Sequence, residues 1–275
     1  MIQVRKAAAA IGAYVSGLSL EALAEDESLG RELRELLLEH EVLFLRDQPL
    51  SATQFQALAR RFGTVLHHPA YPAAPGTDDV HVLESTPETP SKIEKWHSDM
   101  TFSATPPSFT LLHGQIIPEY GGDTLWASAT AAYDALSTPF KTLLEGLSAE
   151  HDFRHGFRES LAEPGGAERL APAIAANPPV RHPVIRTHPE TGRKAIYVNS
   201  LFTTRIMEMT AAESRQVLTL LFDHLATDEF TVRLNWAPFT LVMWDNRSAL
   251  HRPINDYFPQ HRKHHRVTLA GERPR

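Results

Sequence analysis

Leu29, Leu33, Leu36 and Leu37 recur at the three- and four-residue spacing of one helical face, and the run ends at Glu39-His40. Directly after it, Val42-Leu43-Phe44-Leu45 is a continuous apolar run too short for another helix, which predicts a strand buried on both faces. Ser51 stands three residues before Gln54 at the head of a second helical pattern formed by Phe55, Leu58, Ala59 and Phe62, a capping box that Gly63 can close. Ser128 caps a short helix through Ala135, and Thr138 with Pro139 at the first helical position opens another that runs to Gly146. Thr210 and Glu213 make a further capping box ahead of Val217, Leu218, Leu221, Phe222 and Leu225.

Strand-like runs cover residues 80–83, 109–117, 124–127, 230–234, 239–244 and 265–269, and residues 183–187 and 194–198 flank a hairpin turn at His188-Pro189-Glu190-Thr191-Gly192. The opening residues read as a strand and turn. Residues 69–90 are rich in Pro, Gly, Asp and Thr and predict surface loops; residues 155–179 lack a clear period and read as a mobile excursion or lid. Many short strands, few βαβ alternations and helices gathered in the first half give the fold class. It is mostly β with α, a double-stranded β-helix (jelly roll) core with helical additions in one domain over 1–275.

Composition narrows the partners. At 275 residues and 42% hydrophobic content the chain can bury a sizeable core. A formal charge of −6 argues against general affinity for nucleic acid or anionic membrane. With no cysteine, disulfides, iron–sulfur clusters and thiolate zinc sites are excluded, so any metal must be held by nitrogen and oxygen, with 15 histidines to supply the nitrogen. Arg5-Lys6, the stretch after it and Ala22-Leu23-Ala24 imitate a secretory signal, but Gly12, Ser16, Gly17 and Ser19 interrupt the apolar region and Glu21 sits inside the cleavage motif. The expectation is a cytoplasmic protein with no membrane or nucleic-acid partner.

Candidate chemistry centres on Trp96-His97-Ser98-Asp99-Met100-Thr101-Phe102. In an extended segment residues two apart share a face, so His97 and Asp99 can converge on one point. A lone His-x-Asp is a weak signal. It gains weight from His251, which closes the segment Trp244-Asp245-Asn246-Arg247-Ser248-Ala249-Leu250-His251. Two histidines and one carboxylate make the facial triad of non-haem Fe(II) oxygenases, with three positions left open; the same ligands suit Zn(II), which keeps a non-catalytic metal-binding barrel as an alternative. Arg262 and Arg266 fall on one side of an extended strand and could face the barrel interior, where a guanidinium fork binds carboxylate or sulfonate, although His261-Arg262-Lys263-His264-His265-Arg266 also reads as a solvated basic face.

Taken together, these segments resemble the Fe(II)- and 2-oxoglutarate-dependent dioxygenases of the taurine dioxygenase and 2,4-dichlorophenoxyacetate dioxygenase family. The resemblance spans nearly the whole chain, including residues 42–48, 96–102, 121–126, 182–189, 202–205 and 244–247, together with His251. It implies that His97, Asp99 and His251 bind Fe(II), and that Thr124 and Arg262 hold the distal carboxylate of the cosubstrate 2-oxoglutarate. Arg266 lies near its keto-acid end and binds a substrate sulfonate, while His68, Tyr71, Phe157 and Phe202 form the substrate pocket. The implied reaction consumes dioxygen, splits 2-oxoglutarate to succinate and carbon dioxide, and hydroxylates the carbon next to sulfur in an organosulfonate, releasing sulfite and an aldehyde. The expected substrate is a small anionic molecule, taurine or a less polar alkylsulfonate, with an alkyl sulfate or aryloxyalkanoate as the alternative, and the expected state is a homo-oligomer, dimer or tetramer.

Two departures stand out. Where the taurine enzymes carry a polar asparagine four residues before the first histidine ligand, this chain has Ile93; a pocket serine of that family is Gly156. If Ile93 faces the pocket, it offers no hydrogen bond to an ammonium group.

Overall fold

The computed structural model describes residues 2–18, 27–66 and 72–275. The chain opens with strands β1 (Gln3–Lys6) and β2 (Ala13–Ser16), helix α1 (Glu27–His40), β3 (Val42–Leu45), helix α2 (Ala52–Arg60) and β4 (His81–Ser85). Then follow β5 (Phe109–Ile116), β6 (Thr124–Ser128), α3 (Ala129–Ala135), α4 (Thr138–Leu144), β7 (Ser148–His151), α5 (Phe153–Gly156), α6 (Arg158–Leu161) and α7 (Gly166–Ala176). The last third holds β8 (Val180–Pro183), β9 (Ile185–Thr187), β10 (Lys194–Ile196), β11 (Thr203–Ile206), α8 (Ala211–Leu225), β12 (Thr231–Leu234), β13 (Leu241–Asp245), β14 (Ala249–Pro253) and β15 (Arg262–Thr268).

The large sheet has the order β1-β2-β3-β13-β5-β15-β4, and a smaller sheet, β12-β6-β14, faces it; β11-β7-β8 and the hairpin β9-β10 complete the set. Antiparallel pairing prevails, with β2 and β3 the parallel exception. This is the jelly-roll architecture with helical additions. The continuous apolar run in β3 is explained by its two faces. Leu43 and Leu45 pack outward with Leu33 and Leu37 of α1 and Phe55 of α2, whereas Val42 and Phe44 point inward among Trp126, Leu234 and Trp244. β13 divides the same way, Leu241 and Met243 outward and Val242 and Trp244 inward. The helices α1 and α2 thus cover the outside of the large sheet and leave the space between the sheets for a site.

The predicted capping boxes form at Ser51/Gln54 and Thr210/Glu213, each worth about 1 kcal/mol to its helix. Ser128 caps α3 as expected, but α4 begins at Thr138, one residue earlier than the pattern indicated, with Ser137 at the N-cap position making no side-chain capping bond. The prediction that helices gather in the first half is corrected by α5–α8. The segment 155–179, without a period in sequence, contains part of α5, all of α6 and all of α7, which seats Leu170, Ala173 and Ile174 against Phe102, Phe153 and Phe202. Strands β7, β11 and β14 escaped prediction because each is four or five residues long and mixes polar with apolar positions. β15 begins at Arg262, so the basic run is a strand rather than a solvated face. No described helix is long and apolar enough to cross a membrane.

Helix α1 stops at Glu41, whose backbone is left-handed at φ 65° while its amide still donates to Leu37 O at 2.8 Å. Its carbonyl accepts from Asp245 N at 3.0 Å, tying the helix end to β13. The side chain is buried. One carboxylate oxygen accepts from Ser128 Oγ and Arg193 Nη1, each at 3.1 Å, and from Thr130 Oγ1, while the other has no partner among the described residues. Burial, reinforced weakly by nearby Asp245 and opposed by Thr130, Arg193 and Ser128, pushes this carboxyl up to about 7 from an ordinary 4.5.

A raised carboxyl pKa favours folding while both states are protonated, and that advantage is lost as pH climbs from about 4.5 through 7, on the order of 3 kcal/mol in all. Glu41→Gln removes the titration. Its melting temperature relative to wild type is expected to rise between pH 5 and pH 8, and parallel wild-type and variant curves in thermal melts across that range would refute the assignment.

Candidate active site

The segment around His97 is extended and pairs with β14 by a reciprocal backbone bridge, His97 N to His251 O at 3.0 Å and His251 N to His97 O at 2.7 Å. Directly opposed residues bring their side chains together, and the two imidazole centroids lie 4.1 Å apart. Asp99, two positions on, returns to the same face. Its Oδ1 lies 4.0 Å from His97 Nε2 and 3.8 Å from His251 Nε2, and the three donor atoms fall within 4.8 Å of one another. All three residues are buried, with 5%, 3% and 8% exposure for His97, Asp99 and His251.

Protonation suits a metal. The Lys95 carbonyl, 2.8 Å from His97 Nδ1, can only accept, so the proton sits on Nδ1 and the Nε2 lone pair faces the cluster. Burial holds both imidazoles below their ordinary pKa, His251 strongly so, which keeps them neutral as ligands must be. Burial alone would raise the Asp99 carboxyl, but Arg266, His251, His97 and a Thr110 hydrogen bond together hold it well below the usual carboxylate range. Two neutral imidazoles and a carboxylate within reach of one ion form a donor set that suits Fe(II).

Beside this cluster opens a cavity of about 880 Å³ between the sheets, lined by His97, Leu112, Thr124, Trp244, His251, Tyr257, Arg262 and Arg266, among others. Arg262 and Arg266, four apart on β15, do share its inner face. Arg266 Nη2 lies 2.7 Å from Asp99 Oδ1. The Nε atoms of both arginines and the Tyr257 hydroxyl are buried without a hydrogen-bond partner among the described residues. Burial pushes the Arg262 guanidinium below its ordinary pKa, opposed by nearby Tyr257 and Asp123; Asp123 is itself engaged by Arg233 at 2.6 Å and Asn235 at 2.9 Å. Thr124 Oγ1 accepts from Trp236 Nε1 at 3.0 Å, so its own proton remains free to donate. Thr124 and Arg262 line the same cavity, and a guanidinium with a hydroxyl donor is a pair whose chemistry would suit a carboxylate such as the distal end of 2-oxoglutarate.

The sequence family described as "Taurine catabolism dioxygenase TauD, TfdA family" matches residues 3–269. The chain belongs to this family. An alkylsulfatase of Acinetobacter baylyi is 38% identical over 98% of this chain and 86% of its own length. An alpha-ketoglutarate-dependent sulfate ester dioxygenase of Pseudomonas putida is 31% identical over 99% and 91%. Among solved structures, a taurine dioxygenase from Burkholderia xenovorans superposes with a TM-score of 0.83 at 33% identity, covering 99% of this chain and 90% of that one. The protein is therefore a dioxygenase dependent on Fe(II) and 2-oxoglutarate. When bound, that pair supplies the oxidising chemistry; the chain's own residues orient and enclose it.

Among the residues singled out for the substrate pocket, Ile93 and Phe157 line the cavity of the dioxygenase. Phe202 stands behind them, its ring edge-on to His97 at 6.2 Å and to Phe102 at 5.0 Å. His68 and Tyr71 lie outside the described residues. Leu201 and Tyr257 line the cavity without having been anticipated: isolated apolar and aromatic positions carry no signal until the fold brings them together. The departure at Gly156 has a steric reason, because a Cβ there would fall inside van der Waals contact of the Phe202 ring.

Removal of the free donors tests the cosubstrate end. Arg262→Met and Thr124→Val are each expected to raise the KM for 2-oxoglutarate, by about ten- to hundredfold for the loss of a charge-assisted hydrogen bond, while Fe(II) affinity in the absence of cosubstrate stays at wild-type level. Unchanged 2-oxoglutarate KM in both variants would remove Thr124 and Arg262 from that role.

Proposed function

We propose that this enzyme oxidises an alkyl sulfate ester at the carbon bearing the ester oxygen. His97, Asp99 and His251 hold the metal, Thr124 and Arg262 take the distal carboxylate of 2-oxoglutarate, and Arg266 takes the sulfur oxyanion. One oxygen atom of dioxygen enters the substrate C–H bond and the other enters succinate, with carbon dioxide released. The hydroxylated carbon then loses its hydroxyl proton as the C–O bond to sulfate breaks, giving an aldehyde and inorganic sulfate.

Ile93 carries the choice of an alkyl tail. It packs with Phe102, Phe153, Leu201, Phe202 and Phe157, and it lines the cavity where the taurine pattern places a polar side chain. An ammonium group brought there would give up water without gaining a partner, whereas an alkyl chain gains about 0.8 kcal/mol for each methylene buried. A second support is the alkylsulfatase and sulfate ester dioxygenase names of two relatives. α6 and α7, following Phe157, would act as the lid over the tail.

The decisive measurement incubates the Fe(II) enzyme with 2-oxoglutarate and hexyl sulfate, hexanesulfonate or taurine, and scores succinate together with sulfate and sulfite. Hexyl sulfate is expected to give stoichiometric sulfate at the highest kcat/KM, with taurine the poorest. Preferential sulfite release from hexanesulfonate would move the assignment to the sulfonate, and efficient turnover of taurine would defeat the apolar-tail argument. Ile93→Asn is expected to shift the hexyl sulfate to taurine ratio toward taurine by about tenfold or more.

A further inference from the structure

A carboxylate ligand has two oxygens, and a metal that needs open positions should receive one. In Asp99 the two oxygens are treated differently. Oδ1 faces His97 and His251 and lies 2.7 Å from Arg266 Nη2, whereas Oδ2 accepts a 2.7 Å hydrogen bond from Thr110 Oγ1. The Thr110 hydroxyl itself accepts from Asn246 Nδ2 at 2.9 Å, so its one proton is committed to Asp99. The Asn246 amide has no freedom to flip, because its Oδ1 accepts from two groups that can only donate, Trp244 Nε1 at 2.9 Å and the Asp99 backbone amide at 3.3 Å.

Every direction along this relay is thus determined, from Trp244 through Asn246 and Thr110 to Asp99, and all four side chains are buried. The relay crosses the fold. Thr110 belongs to β5, Asn246 to the turn between β13 and β14, and Asp99 to the segment paired with β14. The Trp244 ring that opens it also packs on the His251 imidazole at 4.8 Å.

We propose that Thr110 and Asn246 are positioning residues that restrict Asp99 to one-oxygen ligation of the metal. By occupying Oδ2 they prevent the carboxylate from rotating into a two-oxygen grip that would consume a position needed by cosubstrate or dioxygen. Asn246 fixes the carboxylate from both sides, through Thr110 and through the Asp99 backbone amide. The role is independent of which sulfur substrate the enzyme takes, and it rests on Asp99 being a metal ligand.

The test measures Fe(II) and Co(II) affinity by chelator competition without cosubstrate or substrate, together with the Co(II) ligand-field spectrum. Thr110→Val is expected to weaken Fe(II) binding about ten- to hundredfold and to change the Co(II) spectrum as Oδ2 is released. Thr110→Ser, which keeps the hydroxyl, is expected to restore both. Asn246→Ala gives an independent reading should Thr110→Val fail to fold, with a loss of similar size expected. Wild-type affinity and spectrum in the folded variants, or an equal loss in Thr110→Ser, would overturn the proposal. Asp99→Ala separates the premise: wild-type Fe(II) affinity in that variant would show that Asp99 is not a ligand at all.

Discussion

The reciprocal backbone bridge between His97 and His251 is the constraint on which the rest of the site depends. It joins a segment outside the named strands to β14 of the small sheet, and so converts a long separation in sequence into two imidazoles in contact. The pair of hydrogen bonds also satisfies buried backbone groups that would otherwise be costly. Because Asp99 follows His97 by two extended positions, the third donor comes with the first. Packing then makes the arrangement rigid: Trp244 supports His251, Trp126 supports Trp244, and Phe44 of β3 closes the aromatic stack.

The charges are arranged in two populations that do different work. On the outer side of the 245–248 turn, Asp245, Arg247, His188 and Glu190 pair with one another, with Arg34 joining through Glu190, and leave the hairpin and α1 fastened to β13. In the cavity, Arg262 has no carboxylate partner among the described residues, and the Arg266 Nε is left without one among them. A buried cation held without a full set of partners costs stability. An anion bound there would offset that cost.

Much of this was legible in the sequence wherever local chemistry dictates local structure. Capping boxes at Ser51 and Thr210, the buried strand at 42–45, and the His97, Asp99, His251 set all rest on short-range patterns or on ligand chemistry that few other residues supply. Arg262 and Arg266 were readable because a spacing of four in a strand returns to the same face. What stayed hidden was created by tertiary contact. Thr110 looks like any β-branched residue in a strand and Asn246 like a turn former, until the fold places one against the other. The helices of residues 155–176 were obscured by Gly165-Gly166 and by Pro172, which lies inside α7, although their apolar residues do find a core.

Gly156 and Phe202 show a different kind of dependence. The ring at 202 occupies the volume that any side chain at 156 would need, so the width of the cavity wall at this point belongs to neither residue alone. Adding a side chain at 156 with the ring in its present place overpacks the wall, which typically costs about 1–3 kcal/mol, whereas a smaller residue at 202 widens it. The two positions are therefore one steric unit: a side chain at 156 is accommodated only if the ring at 202 shifts, so the shape of the wall is set by the pair.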